Sequence, residues 1–147
     1  MKLNHLHFSS PALPETCAFY HRYFGFEVRW RILDKVVLSD SEGFILAIDP
    51  IPQSEHDQAS HASQLRHLGF YLDTPDEVVA LHRRMKDDGV DISQELVERS
   101  ANCLHFYCVD PSGNPIEVGW NRAFVKVGAG GVGKASGDSW QTRKGRH

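Results

Sequence analysis

The side chains able to bind a cation or move a proton fall at alternating positions of strand-like stretches. His5 and His7 alternate with Leu6 and Phe8, and His67 and Tyr71 with Leu68, Phe70 and Leu72. His105 and Tyr107 alternate with Leu104, Phe106 and Cys108, and Glu117 stands between Ile116 and Val118. Successive side chains of a strand point to opposite faces, so each stretch has a greasy side and a side carrying imidazole, phenol or carboxylate. One such histidine is more often a hydrogen-bonded structural residue than a ligand. Two imidazoles and a carboxylate from three strands, gathered on one polar face, need a purpose, because polar groups brought together away from water must be partnered. Two His and one carboxylate form a facial ligand set that leaves positions on a divalent metal open to water, oxygen or substrate.

The elements that would position these groups follow from periodicity. Strands are expected at about Lys2 to Phe8, Glu27 to Leu33, Lys35 to Leu38 and Phe44 to Ile48, with a helix from about Leu13 to Phe24. Pro50 to Gln64 is polar, carries two prolines and reads as a connector. The order then repeats. A strand at Leu65 to Leu72 leads to a helix opening at Asp73-Thr74-Pro75 and stopping at Gly89. Strands at about Ile92 to Val97, Cys103 to Val109 and Pro115 to Trp120 complete it, the last two joined by the turn Asp110-Pro111-Ser112-Gly113-Asn114. The fold class is therefore α+β, with paired βαβββ modules forming a cupped mixed sheet and helices on its outer, apolar face. The modules cover residues 1–49 and 65–121, around a linker at 50–64 and before a Gly-rich tail at 122–147.

Bulk properties narrow the function. At 147 residues, 41% hydrophobic and 24% charged, the chain has an ordinary globular composition. A net charge of -3 without a clustered basic face excludes a nucleic-acid footprint. No apolar run reaches membrane-spanning length and nothing resembles a signal peptide, which makes the cytoplasm the expected location. Cys17, Cys103 and Cys108 lack a CxxC pair and are expected to be free thiols. Gly128 to Gly133 satisfies GxGxxG and Gly128 to Lys134 nearly satisfies GxxxxGK, but no βαβ unit follows and Ala135 replaces the needed hydroxyl.

Leu3-Asn4-His5-Leu6, Ala18-Phe19-Tyr20 with Phe24-Gly25-Phe26, Arg66-His67-Leu68 and Asp110 to Glu117 together resemble the vicinal oxygen chelate superfamily, over nearly all of Leu3 to Trp120. That superfamily includes glyoxalase I, extradiol dioxygenases, fosfomycin-resistance enzymes and bleomycin-resistance proteins. The resemblance implies one divalent metal ion held by His5, His67 and Glu117, with iron(II) favoured and manganese(II), zinc or nickel compatible. It places His7 beside the metal as a substrate contact or swapped ligand. It also implies a small-molecule substrate bound through two oxygens and a homodimer, with the site built either within one chain or across two.

The second half most resembles extradiol dioxygenases, in which Tyr107 would match the tyrosine that hydrogen-bonds substrate. Their acid/base histidines, however, align with Glu98 and near Phe44, leaving His105 or His7 to take the catalytic role. Glyoxalase I is the next reading, although its additional acidic ligand falls on Ala47, with Asp49 two residues later on the same face. The fosfomycin reading meets Val97 and Ala101 where a cation and a hydroxyl are expected, and the intact ligands argue against a non-catalytic drug-binding protein.

Overall fold

A computed structural model describes residues 3–52, 54–55 and 66–124. The first module runs β1 (His5–Ser10), α1 (Leu13–Phe24), β2 (Glu27–Ile32), β3 (Lys35–Ser39) and β4 (Ile45–Pro50). The second repeats the order as β5 (Leu68–Tyr71), α2 (Pro75–Asp87), β6 (Gln94–Ser100), β7 (Cys103–Val109) and β8 (Pro115–Asn121). Each module forms its own four-stranded sheet, β1-β4-β3-β2 and β5-β8-β7-β6. The first and last strands of a module pair in parallel, and the other neighbours are antiparallel.

Local chemistry explains the boundaries. Thr74 caps α2 by accepting from the Glu77 amide while the Glu77 carboxylate accepts from the Thr74 amide, a reciprocal capping box just before Pro75. Gly25 stops α1 in the left-handed conformation, φ 67°, which a glycine adopts without Cβ strain. The last hairpin of each module closes in the same way. Asp40 Oδ1 accepts from the Glu42 and Phe44 amides, and Asp110 Oδ1 from the Ser112 and Asn114 amides. This shared aspartate turn aligns the modules residue by residue, with Ala47 matching Glu117 and Asp49 matching Gly119. Likewise, α1 begins as far beyond His5 as α2 begins beyond His67.

One face of each sheet packs into a shared core. Leu38, Leu46 and Ile48 come from the first sheet, Phe106, Ile116 and Val118 from the second, and Tyr20, Val78 and Met85 from the helices. The modules interlock through α1. Tyr20 donates a buried 2.7 Å hydrogen bond to Asp110, and Thr16 shares a 2.9 Å hydrogen bond with Ser112. Phe24 stacks on Phe70 with ring centroids 3.9 Å apart. At the helix ends Arg22 and Tyr23 both donate to the Asp88 carboxylate.

Several boundaries differ from the sequence expectation. The first strand is displaced toward the C-terminus, because Ser9 and Ser10 stay in the parallel ladder opposite Asp49 and Pro50. The same ladder carries β4 past Ile48. Strand β2 stops at Ile32, and Leu33, with φ 54°, starts the tight turn into β3. Strand β6 starts later and runs longer than expected, with irregular pairing to β7. Cys17, Cys103 and Cys108 are free thiols. The Gly-rich segment from Gly128, and most of the expected linker, lie outside the described residues.

Candidate metal centre

The faces opposite the core carry the chemistry, and strand register sets which groups meet there. Glu117 pairs with Gly69 on one side and Tyr107 on the other, so Tyr107 and Glu117 project from one rung of the second sheet. The next rung toward the β8 terminus holds Tyr71, Gly119, His105 and Val97. His67, just before β5, stands one rung the other way. Its Nε2 lies 3.0 Å from Glu117 Oε2, and the two side chains are 39% and 14% exposed.

Tyr107 donates a 2.7 Å hydrogen bond to Glu117 Oε2, and Tyr71 a longer 3.3 Å one to Oε1. Burial, followed by the hydrogen bond to Glu117 and its charge, pushes the Tyr107 hydroxyl up to about 12. Burial, the Glu117 charge and that hydrogen bond also raise Tyr71. Both phenols are thus proton-bearing donors at neutral pH. They orient the carboxylate and leave its other lone pairs free.

The fit to a divalent ion can be tested on this spacing. Two ligands each about 2.1 Å from a cation and at right angles stand about 3 Å apart. His67 Nε2 and Glu117 Oε2, an imidazole nitrogen and a carboxylate oxygen, meet that condition at 3.0 Å. They supply two donors of a coordination shell. Among the described residues no three His, Cys, Asp or Glu side chains are placed to hold one ion. His5 therefore does not join His67 and Glu117 within one chain, because β1 and β5 lie in different sheets that meet through their apolar faces and helices.

Instead, His5 Nδ1 is 2.8 Å from Asn4 Oδ1. His7 Nε2 lies 2.6 Å from Asp49 Oδ2, whose other oxygen is 3.6 Å from Lys35 Nζ.

His105 faces the same side as Glu117, as its alternation indicates, but it is only 3% exposed rather than open to that face. Its ring stands edge-on to Tyr107 with centroids 5.6 Å apart. Among the described residues neither ring nitrogen has a hydrogen-bond partner. Gly119 makes this arrangement possible. A Cβ there would lie 3.1 Å from both His105 Cβ and the Leu104 carbonyl oxygen, and 3.5 Å from the Tyr71 ring. Glu98, at the position of the extradiol acid/base histidine, pairs with Leu104 and so lies on the opposite side of the sheet from Glu117. The role of Tyr71 went unread in the sequence, although its alternation with His67 through Gly69 put it on the right face.

The model of the Glyoxalase/Bleomycin resistance protein/Dioxygenase superfamily matches residues 2–118. The chain belongs to that superfamily. Solved structures agree with its superfamily fold. One from Bacillus cereus, described as a possible glyoxalase, is 26% identical with a TM-score of 0.66, covering 80% of this chain and 97% of that one. Lactoylglutathione lyase from Agrobacterium tumefaciens is 21% identical with a TM-score of 0.64, over 84% of this chain and 96% of that one. A glyoxalase/bleomycin resistance protein/dioxygenase family enzyme from Burkholderia phytofirmans is 19% identical with a TM-score of 0.63, over 81% and 98%. No curated protein matches the chain. The superfamily includes enzymes and generally uses divalent metals, and no described helix is long and apolar enough to cross a membrane.

Proposed function

We propose that the chain is a divalent-metal-dependent enzyme that binds a small molecule through two oxygens, with His67 and Glu117 as metal ligands. The 3.0 Å approach of His67 to Glu117 carries this reading, supported by the two phenols that hold the carboxylate. The remaining protein donors come from the first module, where the family resemblance points to His5. Iron(II), manganese(II), zinc and nickel are the candidate metals, since imidazole and carboxylate suit all four. A bound ion would supply Lewis-acid polarisation of the substrate oxygens. Tyr107 fixes the angle at which Glu117 presents its oxygens. His105, edge-on to Tyr107 and with neither ring nitrogen partnered among the described residues, would exchange a proton with substrate if binding opens its buried position.

A glyoxalase-type isomerase or lyase is the first reading of the reaction, because Glu98, at the position of the extradiol acid/base histidine, lies across the sheet from Glu117 and so leaves that role unfilled. An extradiol dioxygenase is the second, favoured by Tyr107 sitting on the Glu117 carboxylate. Protein purified without chelators should retain one of these metals by elemental analysis. It should then form a thioester product from glutathione hemithioacetals, or for the second reading a yellow product from catechols in air. Replacing His105 with Gln should lower kcat at least tenfold while leaving metal content unchanged. Protein that neither retains nor takes up any divalent ion would overturn the proposal.

A further inference from the structure

Strand β2 breaks its ladder to β3 at one place. Val28 pairs with Leu38 and Trp30 with Val37, so Arg29 is an extra residue between them, a β-bulge. A regular strand would send Arg29 and Trp30 to opposite faces. The bulge sends both to one. Trp30 lies on the rung of Val37, Ala47 and His7, and Arg29 Nε donates a 2.7 Å hydrogen bond to the Ser39 hydroxyl, whose rung continues through Ile45 to His5. This is the polar face of the first sheet, the side that carries both β1 histidines.

That hydrogen bond holds the guanidinium by its root. Nε is taken by the buried Ser39, while among the described residues neither Nη1 nor Nη2 has a hydrogen-bond or ion-pair partner. The neighbouring charges are engaged or turned away. Glu27 Oε1 is 3.3 Å from His21 Nδ1, Lys35 Nζ is 3.6 Å from Asp49 Oδ1, and Arg31, paired with Val36, belongs to the apolar face. What remains is a planar fork of donors, exposed at its tip, next to an indole that is half exposed at the edge of the sheet. Such a fork matches the two oxygens of a carboxylate, and an indole face takes a flat ring.

We infer that Arg29 and Trp30 anchor an aromatic carboxylate, the guanidinium taking the carboxylate end-on through Nη1 and Nη2 and the indole covering the ring. The inference deepens the proposed function and rests on it for its meaning: the chelating substrate also carries a carboxylate, recognised on the face that presents His5. Edge strands are bulged in many proteins merely to discourage pairing with other chains. Here the bulge also turns Arg29 onto a buried hydroxyl beside Trp30, which edge protection does not require.

Heteronuclear NMR of the full chain, stripped of metal and dialysed free of chelator, tests the anchor with 2-naphthoate as the probe. The Arg29 Nε–H and Trp30 indole N–H resonances should shift saturably with 2-naphthoate and stay in place with the neutral 2-naphthamide, and added salt should weaken the binding. Arg29→Gln should weaken it about tenfold, Trp30→Ala about threefold, and Arg29→Lys about fivefold, because lysine keeps the charge and loses the fork. Circular dichroism melts would show that these exposed edge positions leave folding intact.

Equal response to 2-naphthamide, or wild-type affinity in Arg29→Gln, overturns the anchor. Wild-type affinity in Arg29→Lys overturns recognition by the fork. Since no metal is present in the assay, either failure leaves the metal-dependent reading standing. A wild type that binds 2-naphthoate but takes up no divalent ion removes that reading and keeps the carboxylate site.

Discussion

Glu117 shows how much a single side chain depends on what surrounds it. Its carboxylate is 14% exposed, and two phenols donate to it while an imidazole adjoins it. Gly119 governs the next rung in the opposite manner, by lacking a side chain. Gly119→Ala should destabilise the fold by about 1–3 kcal/mol, because the new methyl meets a cross-strand carbonyl that cannot swing aside. Urea denaturation would measure the loss, and wild-type stability would show that the strands part more easily than the packing indicates.

Among the elements, the two helices are tied at their C-terminal ends. Asp88, the C-cap residue of α2, receives Tyr23 and Arg22 from α1, and these hydrogen bonds hold its carboxyl below the ordinary value of 3.8. A folded-state value below the unfolded one stabilises the protein above the unfolded value, and that stabilisation fades as pH falls through the folded value. Asp88→Asn should therefore lower the melting temperature at neutral pH, and the difference should shrink as pH falls below 3.8 and through the folded-state value, where the wild-type carboxyl too becomes protonated. A mutant that melts lower by the same margin at every pH would assign the effect to lost packing.

Element existence was legible because strands such as β1 and β8 alternate and α2 carries its own start signal at Thr74-Pro75. The faces of His5, His7, His67, Tyr107 and Glu117 were legible for the same reason. The rung at which two strands align was not, since a parallel pairing such as β1 with β4 joins residues remote in sequence and no local signal sets it. For that reason the sequence placed Asp49 on the right face without tying it to His7. It also put His105 on the right side without revealing its burial, which depends on Gly119 across the sheet.

At the scale of the molecule, the duplicated halves share one core and exchange a buried hydrogen bond from Tyr20 to Asp110. Removing that donor leaves a carboxylate short of a partner, so Tyr20→Phe should destabilise the protein by about 1.5–3 kcal/mol. Calorimetry should still record a single transition for both proteins. Two transitions in the mutant would mean that this bond alone couples the halves.

Asp110 has a further consequence. Its carboxylate receives the Tyr20 hydroxyl, the Ser112 and Asn114 amides and the Asn114 side chain, and β8 leaves directly from that turn. Helix α1 therefore grips the root of the strand that delivers Glu117. A displacement of α1 would act like a hand on a lever, raising or lowering the carboxylate against His67 without touching either residue.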